Sequence, residues 1–297
     1  MTSISNEVME ILRLRYWQHL MNELLKRKQF KVPVHLAFGH EAAAVALDRT
    51  LQKDDVICLS HRNAVYNLVR CKSLDGILEH YRLAPAIRTV GLMGSMNLSA
   101  HSSIGYTSSI LGNNIPVAAG FAMNRKVTGK SGIVFVFTGD GAIEEGSFWE
   151  TLVFSRSHRL GIVIVVENNN NSMSSTIEQR RSQIDLAKVC AGAGATYRHA
   201  EGAIYADSVE AFRIARESAE AGIPACIELK IETFNQHAGP TPGWPEDPLR
   251  IALEHGLLVR NGSSDPVFHI QRELGMKRFN ELAEQIMKMD SREKYLH

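Results

Sequence analysis

The chain has 297 residues, 44% of them hydrophobic and 22% charged, and its 33 Lys+Arg against 32 Asp+Glu leave a net charge of +1. That is the composition of an ordinary globular protein, and the length suits one large α/β domain or two at about 150 residues each. The balanced charge speaks against a nucleic-acid or anionic-membrane binder, and no apolar run reaches the ~18 residues of a membrane span.

In chain order, residues 1–28 alternate charged and apolar side chains and so lack the continuous apolar core of a signal peptide. Within them Val8, Ile11, Leu12, Leu14, Tyr16, Leu20 and Leu24 recur at helical spacing, which predicts a long amphipathic helix over 7–25. A second helix is expected over 40–51, then a short buried strand at 56–59. Two continuous apolar runs, GIVFVFT at 132–138 and GIVIVV at 161–166, flank a helical segment at 146–160, so the centre reads as a parallel βαβ unit covered on both faces. A helix at 207–221, ended by Gly222, leads to a third strand at 225–231. Residues 234–247 are rich in proline and glycine and read as an exposed loop. Phe279, Leu282, Ile286 and Met289 form a last apolar stripe, which can pack on the chain's own core or serve an interface. The alternation predicts a doubly wound, mostly parallel α/β sheet with helices on both faces. Cys58, Cys71, Cys190 and Cys226 show no metal-ligand spacing and read as reduced, mostly buried thiols in a cytoplasmic protein.

The chemistry concentrates where strands end. GIVFVFT runs into Gly139-Asp140-Gly141-Ala142, and GIVIVV into Glu167 and four asparagines, Asn168 to Asn171. Strands joined by one crossover lie close in a sheet, so Asp140 is expected near Asn169, at the carboxyl ends where such sheets bind ligands. One carboxylate with amide or carbonyl oxygens suits a hard cation such as Mg²⁺, which completes its shell with phosphate and water oxygens. The flanking glycines allow a tight turn and close approach of backbone N–H groups to phosphate. A nicotinamide fingerprint fits poorly, because its third glycine falls on Glu144. Either half alone is most often a structural loop; their combination, each half after an apolar strand, is specific. Glu144 and Glu145 suit a helix N-terminus, and Arg180-Arg181 reads as a solvated face.

GDGAIEEGSFWE (139–150) followed by VVENNNNSM (165–173) resembles the thiamine diphosphate motif. The closest likeness is to the α subunit of the first, decarboxylating component of 2-oxo acid dehydrogenase complexes. HLAFGHEA (35–42), SHRNA (60–64), GSMN (94–97) and ILGNNIPVAAGFA (110–122) extend it over about 35–243. The resemblance implies a diphosphate-binding domain spanning 1–297, with a helical extension over about 1–30 and a helical tail over about 265–297. It implies Mg²⁺ held by Asp140, Asn169 and the Asn171 carbonyl. The diphosphate falls to Gly139, Gly141, Ala142, His61 and Arg62, whose guanidinium fork fits phosphate oxygens. Ser109 and Leu111 would meet the aminopyrimidine, the Leu111 side chain bending the cofactor. His35 and His237 are the candidate catalytic histidines.

Four positions depart from the family: His40 replaces glutamine, His61 replaces tyrosine, and Asn97 and Asn235 replace histidines. An amide cannot shuttle protons as imidazole does, so Asn235 bears on transfer to lipoate. The family further implies a β-type partner carrying the pyrimidine-binding domain in an α₂β₂ assembly acting on a small-molecule substrate. Two alternatives stand beside this: a carboligase or transketolase-like half acting on an aldehyde or sugar, and a non-catalytic subunit that keeps the fold.

Overall fold

Both central apolar runs become adjacent strands of one sheet in the computed structural model, which describes residues 5–30, 34–81, 98–237, 239–240 and 250–296. The strands are β1 (Val56–Leu59), β2 (Ile104–Thr107), β3 (Val134–Gly139), β4 (Ile162–Asn168), β5 (Thr196–Glu201) and β6 (Ala225–Lys230). All pairings are parallel, and the order across the sheet is β2-β1-β3-β4-β6-β5. The helices are α1 (Asn6–Lys26), α2 (Glu41–Thr50), α3 (Ala64–Cys71), α4 (Leu74–Tyr81), α5 (Asn114–Thr128), α6 (Gly146–Ser157), α7 (Ile177–Arg180), α8 (Leu186–Ala193), α9 (Tyr205–Glu220), α10 (Pro266–Leu274), α11 (Met276–Met289) and α12 (Arg292–Leu296).

The sheet separates two cores by simple alternation, because successive strand residues point to opposite faces. Phe135, Phe137, Val163, Val165, Ile227 and Leu229 face the core that holds α1, α2, α3 and α9. Val134, Val136, Ile162, Ile164, Val166 and Cys226 face the other, beneath α5, α6 and α8. Both sides are covered, so the central strands carry apolar residues without a polar face, as a parallel sheet requires. The edge strands β2 and β5 lack this signature: IGYT and TYRHAE carry exposed and half-buried residues. That mixed character hid them from the sequence pattern.

The N-terminal helix corrects the expected one-faced amphipathic pattern. From Leu14 to Met21 every residue of α1 is buried, polar ones included. The C-terminal helices α10, α11 and α12 pack on it from the side that the pattern left to solvent. The last stripe thus joins the chain's own core: Phe279, Leu282 and Ile286 are buried, while Met289 is exposed. The GSMN motif with Asn97, and positions 241–247 of the Pro/Gly loop, lie outside the described residues. All four cysteines are free thiols, three of them buried.

A wholly buried ion cluster ties the ends of the chain together. Arg15 on α1 donates to Glu41 at the start of α2 (2.7 and 3.0 Å) and to Asp265 ahead of α10 (2.8 and 3.1 Å). All three side chains are fully buried. Glu41 also accepts from Gln18 and the Gly39 N–H; Asp265 accepts from the N–H groups of Val259, Arg260 and Val267. Burying ions is costly unless every lone pair and proton is used, a condition that this cluster meets. Replacing Arg15 by Met leaves two buried carboxylates without their cation. The expected loss of folding stability is about 3–5 kcal/mol in denaturant titrations; a loss below about 1 kcal/mol would show the cluster to be dispensable.

Candidate active site

Beyond the carboxyl ends of β1, β2, β3 and β4 lies a cavity of about 370 Å³. Here β1 leads to β2 on one side and β3 lies on the other, the reversal at which open α/β sheets bind ligands. The structure brings every site residue named from the sequence to this one wall. His61 and Arg62 follow β1, Ser109 follows β2, and Gly139 to Ala142 turn away from β3. Asn169 and Asn171 follow β4, while His35 and His237 come from segments before α2 and after β6. Leu111 stands half exposed at the rim beside the more exposed Ile110.

Asp140 is a buried carboxyl group of the wall, 1% exposed. Arg180 Nη2 donates to its Oδ2 at 2.6 Å, while Oδ1 takes no hydrogen bond among the described residues. The same arginine donates through Nε to Glu144 (3.0 Å), and Arg181 Nε joins it on that carboxylate (3.0 Å). The arginine pair is therefore no solvated face: each side chain keeps 15% exposure and closes on the acids of the glycine turn. A side chain at Gly141 would strike Ser172, whose Oγ lies 2.3 Å from where a Cβ would stand. The N–H groups of Gly141 and Ala142 precede the first turn of a short helix at Ala142–Glu144 and have no acceptor in the described chain. Thr138 adds a buried hydroxyl without a partner among the described residues, a wall residue that the sequence reading missed.

The Asn169 amide is oriented by a relay. Its Nδ2 donates to Thr233 Oγ1 (2.9 Å), Thr233 meets His40 Nε2 (2.8 Å), and His40 Nδ1 meets Glu167 Oε1 (2.9 Å). Tyr66 donates to the same Glu167 oxygen at 2.5 Å. With His40 neutral, every donor in the series finds an acceptor when protons point from Asn169 toward Glu167. That leaves Asn169 Oδ1 facing its own loop, where it accepts from the Asn171 N–H at 3.1 Å with a lone pair to spare. His40, a departure in sequence, thus has a structural reason: it links the asparagine to Glu167.

Three imidazoles meet beside Arg62. The rings of His35, His61 and His237 lie pairwise 4.9 to 5.0 Å apart. Burial, with the neighbouring Arg62 charge, pushes His35 down to about 3 and His237 down to about 4; the same causes hold His61 well below the usual range. Among the described residues, His35 Nδ1 and His61 Nε2 are buried without a hydrogen-bond partner. Burial also pulls Arg62 down to about 10, against the pull of Glu167. Arg62 Nη1 donates to the Leu36 carbonyl at 2.9 Å, so part of its fork is fixed to the protein. Among the described residues no three His, Cys, Asp or Glu side chains are placed to hold a metal together. The trio is a neutral imidazole surface, and the Arg62 charge beside it is what suits an anionic ligand.

Asn235 does not line the cavity. Its Oδ1 accepts from the Phe38 N–H (3.1 Å), and its Nδ2 donates to the carbonyls of Leu36 and Gln236 (2.9 Å each). It staples the segment after β6 to the segment that carries His35. Gly39 makes this approach possible: with φ +103°, it sits where a Cβ would lie 2.1 Å from the Glu232 carbonyl oxygen.

Comparison with known proteins places the chain in a family. Residues 9–239 match the family described as dehydrogenase E1 component. The chain is 25% identical to the pyruvate dehydrogenase E1 component subunit alpha of Rickettsia bellii, over 78% of this chain and 72% of that one. The mitochondrial subunit alpha-1 of Arabidopsis thaliana is 26% identical over 92% and 75%. The mitochondrial alpha subunit of Dictyostelium discoideum is 26% identical over 58% and 45%.

The depressed histidines fix a pH response. An unfolded His35 binds a proton below about 6.5, whereas the folded one stays neutral down to about 3. Across that window the unfolded state holds the extra proton, so folding stability falls as pH falls. His35→Gln is expected to lessen this slope by close to one proton between pH 6 and 4, read from denaturation at several pH values. Parallel slopes for the two chains would remove the neutral, buried assignment.

Proposed function

The chain belongs to the dehydrogenase E1 component family, and from that premise we propose that it is the thiamine diphosphate- and Mg²⁺-dependent α subunit of a 2-oxo acid dehydrogenase. The observation that carries the reading is the meeting of Asp140, Gly141, Asn169, Asn171 and Arg62 on one cavity wall. These residues fit the group. A carboxylate oxygen with no hydrogen bond, an amide oxygen and a backbone carbonyl make an all-oxygen set for a hard cation. Two N–H groups without acceptors and a buried guanidinium suit a diphosphate.

In this reading Asp140, Asn169 and the Asn171 carbonyl hold Mg²⁺, and Gly139, Gly141, Ala142, Arg62 and His61 hold the diphosphate. Ser109 and Leu111 face the aminopyrimidine. When bound, thiamine diphosphate supplies the electron sink for breaking the bond to the 2-oxo acid's carboxylate. The chain's own residues bind, orient and manage charge. Arg62, itself buried at the cavity wall, brings positive charge that acts more strongly on an anion than an exposed cation does. His35 and His237, neutral in the free chain, can accept a proton or donate a hydrogen bond toward the substrate without adding a second fixed charge. A β-type subunit bearing the pyrimidine-binding domain completes the site in an α₂β₂ assembly. The carboligase and non-catalytic alternatives are not favoured: Asn235, the main departure behind the former, is a backbone staple outside the cavity.

With Mg²⁺ and thiamine diphosphate at 100 times the dissociation constant, the chain with its β-type partner should gain about 2.7 kcal/mol of stability. Asp140→Ala should lose that gain while keeping the cofactor-free fold. Decarboxylation of 2-oxo acids, beginning with pyruvate, is assayed alongside with an artificial electron acceptor. Absence of both stabilisation and acceptor reduction in the assembled wild type would overturn the reading; stabilisation that survives Asp140→Ala would remove the assigned cation ligand.

A further inference from the structure

The three proposed cation ligands come from two different strand ends. Asp140 follows β3, whereas Asn169 and Asn171 follow β4 on a loop that leads into α7. The sheet brings the two strand ends side by side, but beyond Asn168 the loop is held against the glycine turn by contacts outside the sheet. Arg180, the last residue of α7, spans the gap with all three of its guanidinium nitrogens: Nη2 on Asp140 Oδ2, Nε on Glu144 Oε1, and Nη1 on the Ser175 carbonyl. The loop behind it is braced from within. At the start of α7 the Thr176 N–H donates to Gln179 Oε1 at 2.9 Å, and the Ile177 N–H donates to Asn170 Oδ1 at 3.0 Å. Asn170 and Met173 hold left-handed backbone conformations, with φ +54° and +57°. Conformations of that kind persist only where the surroundings over-determine them.

We propose that Arg180 is a positioning residue for the cation site, holding Asp140 through Oδ2 so that Oδ1 faces the cavity, and tying the loop of Asn169 and Asn171 to that carboxylate. The inference rests on Asp140 being a cation ligand. Two observations separate it from an ordinary surface ion pair. Asp140 is 1% exposed, and one of its two oxygens is bonded while the other is not. A carboxylate held this way has lost rotation about its last bond before any ligand arrives. Glu144, shared by Arg180 and Arg181, returns the negative charge that Arg180 takes from the site, so two acids and two arginines leave the turn neutral. Orientation is therefore gained without surrounding the cation site with net positive charge. Lysine cannot do the same work: a single ammonium lacks the planar fork that reaches Asp140, Glu144 and Ser175 at once.

The test is a titration of Mg²⁺ into the full chain, co-purified with its β-type partner, at a fixed concentration of thiamine diphosphate. Binding is read by calorimetry and by protein fluorescence. R180Q should raise the Mg²⁺ concentration for half-saturation on the order of 10- to 100-fold, as loss of an outer-shell partner does. R180K should recover part of that loss, and R181Q, which leaves the Asp140 contact in place, should shift the midpoint far less. If R180Q does not fold by circular dichroism, R180K against wild type carries the test through the same midpoint. An R180Q midpoint equal to wild type overturns the inference. A lower midpoint overturns it too, since it would show that Arg180 competes with the cation. Cation-dependent cofactor binding absent from wild type itself would instead remove the functional reading on which the inference stands.

Discussion

The register of β3 on β4 is the constraint on which the rest of the molecule depends. Val134 pairs with Ile162, and the match continues in step to Gly139 beside Glu167. A slip of one residue would send the phenylalanines of β3 into the core beneath α5 and α6, and would exchange every partner on both faces. Because both faces are buried, that exchange carries a penalty at each position. Close packing on two sides therefore sets where the strands stop. Where they stop decides that an aspartate between two glycines and a run of asparagines emerge side by side. The polar site is placed by apolar side chains that never touch it.

The legibility of the fold follows from the same physics. Strands buried on both faces must be apolar without interruption, and β3, β4 and β6 declare themselves in the bare sequence. Edge strands are freed from that demand, so Thr196–Glu201 carries arginine, histidine and glutamate and resembles a loop. The first helix misled for a complementary reason. Its apolar residues follow a helical period, but Arg15, Gln18 and Asn22 are buried too, each bonded to a partner far away in the chain, and His19 is buried edge-on against Phe38. Local periodicity contains no trace of Asp265, which makes burial of Arg15 tolerable. At the site, the residues of the two strand ends were legible because chemistry and spacing coincide there. Arg180, Thr138 and the relay through His40 and Thr233 were not, since each acquires meaning only from a neighbour on another element.

The cavity also uses burial in two opposite senses. Around Arg15, charges are buried and fully paired, and they hold the N-terminal helix to the C-terminal helices. Around Arg62, one cation is buried next to imidazoles kept neutral by their own burial first and by its charge second. The first arrangement is complete and needs nothing further. The second keeps ring nitrogens without partners, a state with a desolvation cost that an incoming anion can offset. Stability and reactivity thus draw on the same residue types, separated by whether the chain supplies the last hydrogen bond.

The staple at Asn235 limits which side chains the position accepts. Its amide matches two backbone groups of the 36–38 segment, donating to one and accepting from another, much as a neighbouring strand would. The Leu36 carbonyl that it binds also receives Arg62, so the amide and the cavity's arginine share an anchor. An imidazole has one donor and one acceptor on a rigid ring, and cannot reproduce an amide's reach to Phe38, Leu36 and Gln236 together. A histidine at position 235 could not keep the contacts to Phe38, Leu36 and Gln236 together and would slacken the segment bearing His35. Position 235 and the 36–38 segment are therefore coupled: a change in one calls for a matching change in the other.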